Sequence, residues 1–174
     1  GLDPAPGPEM KSTGEVMGSH KNAAAAYLKA RMATEIPVPT HGGVYITVKD
    51  SDKESIIPLA KSLKDMEFDL YATRGTAAIL RERGGLEVNS AYRIAEQGSP
   101  DALDLMRDGK IQLIINTPTN SGGAVLDGNM MRRLAVELNI PFVTTLSGAT
   151  MEVQAVAEMI KGLPEPRSLT IGTV

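Results

Sequence analysis

From residue 43 onward, the sequence alternates between short apolar runs and segments whose apolar residues recur at helical spacing. The run GVYITV at 43–48 has the β-branched and aromatic composition of a strand. It is followed by four apolar residues at positions i, i+3, i+4 and i+7, which are Ile56, Leu59, Ala60 and Leu63. Because residues at this spacing share one face of a helix, the two segments predict a strand–helix unit.

The same unit recurs along the chain. Further strands are predicted at 68–72, 111–116 and 141–145, with a weaker one at 88–94. Helices are predicted at 76–84, 101–108, 129–139 and 150–161. Regular alternation places the strands side by side in parallel and the helices on both faces of the sheet. The predicted fold class is therefore α/β, a three-layer α/β/α sandwich with a central, mainly parallel five-stranded sheet.

The first forty residues differ in character from the rest. Pro4, Pro6 and Pro8 lie among many glycines, and KNAAAAYLKARMA at 21–33 is rich in strong helix formers. Two prolines and a glycine pair at 36–43 then interrupt the chain. We expect a boundary near His41, with a linker helix in 1–40 and the α/β domain in 41–174.

Composition argues against several classes of function. The net charge of −3 gives no general attraction to nucleic acid or an acidic membrane surface, and 3% aromatic residues without Trp argue against recognition by base stacking. No apolar run approaches the ~20 residues of a membrane helix. The absence of cysteine removes disulfides and thiolate metal sites, which fits a cytoplasmic protein. We expect no nucleic-acid partner and no membrane partner.

Polar residues collect where the predicted strands end. Four segments follow the strands, namely KDSDK, TRGT, NTPTNSGG and TTLSG at 49–53, 73–76, 116–123 and 144–148. In a parallel sheet, ligands bind at the carboxyl ends of the strands, where the next helix directs N–H groups outward and its dipole favours an anion. Such residues also serve as ordinary helix caps, so one segment alone is weak evidence. The four together predict a site for a small anion.

The TRGT segment has a layout that suits phosphate. Thr73 can cap the following helix, Gly75 lets the backbone approach a ligand closely, and Thr76 adds a hydroxyl in the first turn. Lys53 and Arg93, near neighbouring strand exits, would supply cations, although each is equally well explained as a solvated surface charge. The residues themselves therefore predict a binder of a small anion.

Motifs of catalysis are missing from the sequence. It contains no G-x-S-x-G, G-x-x-x-x-G-K-[ST] or H-E-x-x-H pattern. Asp50 and Asp52 are interpreted as turn and cap residues, because no further carboxylate or histidine completes an evident metal site. We expect neither a catalytic residue nor a metal.

Four segments, VKDSDK, LYATRGTAAIL, DGKIQLIINT and MMRRLAVELNIPFVTTLSGA, resemble the methylglyoxal synthase-like domain in order and spacing over nearly all of 43–161. Two families share that domain: methylglyoxal synthase, and the C-terminal allosteric domain of the large subunit of carbamoyl-phosphate synthetase. GPEMKSTGEVMG at 7–18 is similar to the end of the second ATP-grasp unit of the synthetase, and methylglyoxal synthase has nothing like it. The resemblance favours the allosteric domain, with 1–40 as the tail of the ATP-grasp unit in a longer polypeptide.

Two positions depart from the enzyme. Lys49 stands where methylglyoxal synthase carries a histidine, and Ser99, next to Pro100, where it carries its catalytic aspartate. Neither a serine hydroxyl nor a protonated lysine can abstract a proton from dihydroxyacetone phosphate. Methylglyoxal synthase therefore remains the alternative, and we expect its general base to be missing here.

The resemblance to the synthetase domain implies binding of nucleotide effectors such as UMP or IMP, which control carbamoyl phosphate synthesis for the pyrimidine and arginine pathways. Matched position by position, the residues expected around phosphate and ribose are Lys53, Thr73, Thr76, Arg93, Asn116 and Thr117. Arg93 stands where bacterial relatives often have lysine, which changes the donor geometry and leaves the effector preference open.

The family also binds ornithine through a tyrosine and a threonine near the last strand. Phe142 and Thr144 occupy those positions, and loss of the phenolic oxygen weakens the case for that activator. The resemblance further implies the rest of the large subunit and the glutaminase small subunit as partners, and an oligomeric full-length enzyme. ATP, Mg²⁺ and K⁺ are expected for the full-length synthetase, and no cofactor for this segment.

Overall fold

The computed structural model describes residues 14–119 and 122–164. Five parallel strands form one sheet in the order β3-β2-β1-β4-β5. The strands are β1 (Gly43–Thr47), β2 (Asp69–Thr73), β3 (Asn89–Ala91), β4 (Leu113–Asn116) and β5 (Phe142–Val143). The predicted parallel five-stranded sheet is confirmed.

Six α-helices are described around the sheet. They are α1 (Ala23–Met32), α2 (Lys53–Asp65), α3 (Arg74–Glu82), α4 (Ala102–Arg107), α5 (Gly122–Glu137) and α6 (Leu146–Lys161). Short 3-10 helices at Asp50–Asp52 and Ile94–Glu96 follow β1 and β3. The strand–helix alternation therefore runs as predicted from residue 43 to the end of α6.

Two apolar layers cover the two faces of the sheet. Val44 and Ile46 of β1 pack in the layer formed with α2, α3 and α6. Tyr45, between them, packs in the layer formed with α4 and α5. Alternate residues of β1 therefore point to opposite faces, and the strand is apolar throughout because both faces are covered. This arrangement confirms the three-layer α/β/α sandwich.

Helix α1 packs against α6. Leu28 is completely buried, and the α1 side chains Tyr27 and Arg31 both reach Glu152, which is 1% exposed on α6. Asn22 caps α1 by accepting a hydrogen bond from the Ala24 N–H. The boundary predicted near His41 thus falls just before β1, and the assignment of 1–40 to a different unit stays a prediction.

Two helices begin earlier than predicted. Helix α5 starts at Gly122 instead of near 129, and α6 starts at Leu146 instead of 150. At α6 the reason is local, because the Thr145 side chain caps the helix by accepting from the Gly148 N–H. Glycines lie in the first turn of both helices, and because glycine has a low helix propensity, the sequence does not indicate that a helix begins there.

Candidate anion-binding site

The strand register aligns the predicted polar exits in one row. Thr47 pairs with Asn116, and the preceding residue of β1, Ile46, pairs with Ala72, so Thr73 lies on the other side of Thr47. The chain adds strands to one side of β1 up to β3 and then places β4 on the opposite side. Open α/β sheets bind ligands at such a switch of strand order.

A cavity of about 580 Å³ opens at this edge of the sheet. All six residues predicted to contact phosphate and ribose line it: Lys53, Thr73, Thr76, Arg93, Asn116 and Thr117. Lys49, Asp50 and Arg74, from the predicted KDSDK and TRGT segments, also line it. Further lining residues that the sequence interpretation did not place in the site include Tyr45, Glu96 and Asp127. Cations, carboxylates and hydroxyls from seven helices and strands therefore meet in one cavity.

The TRGT segment forms no separate turn, because α3 begins at Arg74 directly after β2 ends at Thr73. Thr73 does not cap α3 as predicted; its hydroxyl instead donates to the Thr76 hydroxyl at 3.2 Å. The first N–H groups of α3 thus have no side-chain cap from Thr73. Uncapped N–H groups at the positive end of a helix dipole form an anion-binding arrangement.

The ammonium group of Lys53 lies over this helix terminus. Lys53 is the first residue of α2, and its Nζ would lie 3.3 Å from a β-carbon placed at Gly75. The same Nζ lies 2.8 Å from the carboxylate of Asp50. The absence of a side chain at Gly75 therefore lets the cation approach the α3 backbone closely.

Asn116 and Thr117 form the floor at the end of β4, and both are buried. The Thr117 hydroxyl accepts a hydrogen bond from the Lys49 N–H at 3.1 Å, and the Thr117 N–H donates to the Thr47 carbonyl at 3.1 Å. Thr117 therefore fixes the loop after β1 to the end of β4. Thr117 therefore has two roles, since it holds the loop in position and also lines the cavity.

Arg93 enters the cavity after β3 and faces a carboxylate of α5. Its Nε lies 3.6 Å from Asp127, which is 8% exposed. Burial raises the pKa of Asp127 above its usual value, while the Arg93 charge opposes that shift. Asp127 precedes the buried Met131 by one helical turn, so both residues lie on the inward face of α5. The predicted helix, 129–139, begins too late to include Asp127, and a helix that began at 122 would have indicated this position.

Asp127 bears on the expectation that the general base is missing, and that expectation stays a prediction. The serine aligned with the catalytic aspartate, Ser99, donates to Asp104 at 3.0 Å and is not among the residues lining the cavity. A carboxylate nevertheless reaches the cavity from a different element. Missing the aspartate at position 99 therefore does not leave the cavity without a carboxylate.

The opposite rim carries the pair Arg74 and Glu96, whose charged atoms lie 2.6 Å apart. The Arg93 N–H donates to the Glu96 carboxylate, and this bond, together with Arg74, holds the pKa of Glu96 below its usual value. Beneath the cavity, burial raises the pKa of the Tyr45 hydroxyl well above its usual range. Glu96 is therefore ionised at neutral pH and Tyr45 is not.

Phe142 and Thr144 lie elsewhere. Phe142 is in β5, where the Arg132 guanidinium of α5 stands 5.3 Å from the centre of its ring. Thr144 directly follows that strand. Neither residue lines the cavity, so the structure keeps the two ornithine-site positions separate from the six predicted effector residues.

Residues 14–119 and 122–164 contain neither a metal cluster nor a membrane-spanning helix. No group of three or more histidine, aspartate or glutamate side chains has an arrangement that could hold a metal ion. Within the same residues, no helix combines the length and apolar character needed to cross a bilayer.

Comparison with known proteins assigns the chain that contains this cavity to a family. Residues 55–144 match the family model described as the MGS-like domain. The chain belongs to the MGS-like domain family. The matched segment runs from α2 to the end of β5, so it includes the α3 terminus and the floor of the cavity. The resemblance that the sequence suggested is thereby confirmed.

Curated relatives carry this MGS-like domain within longer chains. The carbamoyl phosphate synthase large chain, C-terminal section, of Methanopyrus kandleri is 47% identical over 92% of this chain and 29% of the relative. The section of the same name in Methanocaldococcus jannaschii is 44% identical over 93% of this chain and 26% of the relative. The chain thus spans less than a third of either relative.

A solved structure shows the same fold. Methylglyoxal synthase from Elizabethkingia anophelis NUHP1 superimposes with a TM-score of 0.56, covering 67% of this chain and 79% of the enzyme. Its sequence is 18% identical. At that identity the match supports the architecture alone.

Proposed function

We propose that this MGS-like domain is the allosteric regulatory module of a carbamoyl phosphate synthase large chain. A nucleotide such as UMP or IMP binds in the cavity and controls carbamoyl phosphate synthesis. The 47% identity to a relative named as the C-terminal section of that large chain supports the choice of enzyme. On this proposal, the partners are the rest of the large chain and the glutaminase subunit.

One arrangement carries the binding proposal. Two hydroxyls of one hydrogen-bonded pair, Thr73 and Thr76, the uncapped start of α3 and the Lys53 ammonium converge on one end of the cavity. These groups supply neutral and charged donors to a single phosphoryl group. The remainder of the cavity, between Asn116 and Arg93, has room for ribose and base.

Regulation requires the effector to bind two states of the large chain unequally. A difference of ~1–3 kcal/mol in binding free energy would give a 5- to 150-fold change in apparent affinity. The donors of the cavity come from the segments after β1 and β3 and from the junction of β2 with α3, and a bound phosphate would tie these segments together. A change in loop order is therefore the proposed link to the rest of the chain.

Calorimetric titration of this chain with UMP and IMP tests the proposal. We expect saturable binding of at least one of them, and little or no binding of uridine or inosine, because the phosphate supplies the charge that the α3 terminus recognises. Lys53→Met should weaken binding, whereas Lys61→Met, on the exposed side of the same helix, should not. Absence of heat at millimolar UMP and IMP would contradict the proposal.

A second candidate function is favoured by one observation, the buried Asp127 carboxylate in the cavity. A carboxylate there could serve methylglyoxal synthase chemistry on dihydroxyacetone phosphate. We favour the regulatory function, because Arg93 and the Ala95 N–H already engage Asp127. Release of methylglyoxal from dihydroxyacetone phosphate by the purified chain, and its loss in Asp127→Asn, would reverse this choice.

A further inference from the structure

The cations of the cavity already have acidic partners. Four lysine or arginine side chains occur among the described residues lining it, and each has a carboxylate within 4 Å: Lys53 with Asp50 at 2.8 Å, Arg74 with Glu96 at 2.6 Å, Arg93 with Asp127 at 3.6 Å and Lys49 with Asp52 at 3.7 Å. Positive and negative side chains therefore balance around the described rim. This balance is unusual for a site that binds an anion, since such sites usually present excess positive charge.

Two of these carboxylates flank the proposed phosphate position. Asp50 pairs with the Lys53 ammonium that lies over Gly75, and its side chain is 95% exposed. Glu96 pairs with Arg74, the first residue of α3. Lys53 holds the pKa of Asp50 below its usual value by a hydrogen bond, so both flanking groups are ionised at neutral pH.

The size of the cavity does not limit the number of phosphoryl groups. At about 580 Å³ it lies within the 300–1,000 Å³ range of ordinary small-molecule sites. Charge does impose a limit. Thr73, Thr76 and the N–H groups of α3 can satisfy one phosphoryl group largely with neutral donors. A second group would bring more negative charge between Asp50 and Glu96, whose cations are already neutralised.

We propose that Asp50 and Glu96 are specificity-determining residues that restrict this site to phosphate monoesters and disfavour diphosphates. The inference rests on the proposed function, because it names the class of ligand that the same cavity accepts. Repulsion directed against the unwanted ligand is a general way to gain specificity.

Calorimetry on the full chain with matched nucleotide pairs, UMP with UDP and IMP with IDP, tests the inference. The wild-type chain should bind the monophosphate ~10-fold or more tightly than its diphosphate. In the double variant Asp50→Asn/Glu96→Gln, both affinities should rise and the diphosphate should gain more, reducing that ratio by ~5-fold or more. Raised ionic strength should lower the ratio of monophosphate to diphosphate affinity in the wild-type chain, because salt screens the repulsion by carboxylates that are in contact with solvent.

A control variant keeps the same chemistry away from the cavity. Asp108→Asn/Glu158→Gln removes two carboxylates that pair with Lys110 and Lys161 and do not line the cavity. It should leave the monophosphate preference unchanged. Glu96→Gln preserves an acceptor for the Arg93 N–H, so the local fold should be kept. We expect both double variants to have the melting temperature of the wild-type chain, which would show that they are folded.

The outcomes separate this inference from the proposed function. Equal wild-type affinities for UMP and UDP, or for IMP and IDP, would overturn the inference and leave the proposed function standing. A preference that persists unchanged in Asp50→Asn/Glu96→Gln, or that falls equally in the control variant, would also overturn it. If neither UMP nor IMP bound the wild-type chain, both proposals would fail together.

Discussion

Thr76 is a buried residue whose hydroxyl is placed to donate to a ligand in the cavity. The residue is 1% exposed in the first turn of α3, and its hydroxyl oxygen accepts the hydrogen bond of Thr73. The Thr76 hydroxyl hydrogen takes no part in this bond, and because Thr76 lines the cavity, the proposed phosphate would accept it. A buried hydroxyl that loses its partner costs more than an exposed one.

Thr76→Val tests this contact. Valine keeps the shape of threonine and removes the hydroxyl, so UMP or IMP binding should weaken by ~10-fold, the equivalent of one hydrogen bond to a charged group. Thr150→Val is the matched control, because the Thr150 hydroxyl donates within α6 to the Leu146 carbonyl and does not line the cavity. Equal affinity of the Thr76→Val and wild-type chains, measured by calorimetry, would remove Thr76 from the site.

Gly128 offers a second test at a single residue. A β-carbon at this position would lie 3.0 Å from Asn116 Nδ2, whereas one at Gly123 of the same helix would meet nothing within 4 Å. Gly128→Ala should displace the Asn116 amide and weaken nucleotide binding several-fold. Each Gly→Ala change favours the helix by as much as ~1 kcal/mol, so the free energy of unfolding should stay the same or rise in both variants. Unaltered binding by Gly128→Ala would show that Asn116 does not contact the ligand.

At the scale of elements, the contact of α1 with α6 depends on one buried carboxylate. Glu152 accepts hydrogen bonds from Tyr27 at 2.9 Å and from Arg31 at 3.0–3.2 Å. Helix α1 has little amphipathic pattern, since AAAAYLKARM presents alanines on every side. The polar cluster, together with buried Leu28, therefore sets which face of α1 meets α6.

Glu152→Ala should destabilise the fold. It leaves Arg31, 14% exposed, without its ion-pair partner, and breaking a pair of this kind costs ~3 kcal/mol. Urea unfolding measures the change. Glu158→Ala, which removes a half-buried carboxylate of the same helix paired with the exposed Lys161, should cost less than ~1 kcal/mol. Similar losses in the two variants would mean that α1 is not held through Glu152.

Alkaline pH provides a separate test of the same cluster. Burial, with the charge of Glu152 as the second cause, raises the pKa of Tyr27 from 10.0 to about 12. A raised folded-state pKa contributes stability that is complete below pH ~10 and is lost as the pH rises toward ~12. The free energy of unfolding should therefore fall more steeply over this window in the wild-type chain than in Tyr27→Phe. Parallel curves for the two chains would mean that folding does not raise the pKa of Tyr27.

At the scale of the whole molecule, the sheet follows from patterns that a single sequence contains. Val44, Ile46, Leu113 and Ile115 lie in central strands covered on both faces, so their segments read as continuous apolar runs. The polar residues that follow those strands lie at the edge of the sheet where the cavity opens. The six predicted residues lie at or after the ends of β1, β2, β3 and β4, and they line one cavity because parallel strands all end at that edge. The predicted TTLSG segment after β5 contributes no residue to the lining.

Other features depend on contacts between distant segments and could not be predicted in the same way. The opposition of Asp127 to Arg93 depends on how α5 crosses the end of the sheet, and the Thr73 side chain bonds to Thr76 instead of capping because both hydroxyls face the cavity. The contact of α1 with α6 joins residues more than 120 positions apart in the chain. Local propensity contains none of this information.

The most direct test of the central claim is an amide chemical-shift titration of the isotopically labelled chain with UMP and IMP. The Gly75 and Thr76 amides, at the uncapped start of α3, should shift and saturate with the dissociation constant found by calorimetry. The Gly109 amide, which precedes β4 at the opposite edge of the sheet, should stay in place. Saturable binding that left Gly75 and Thr76 unshifted would contradict the claim that an anion binds at this helix terminus.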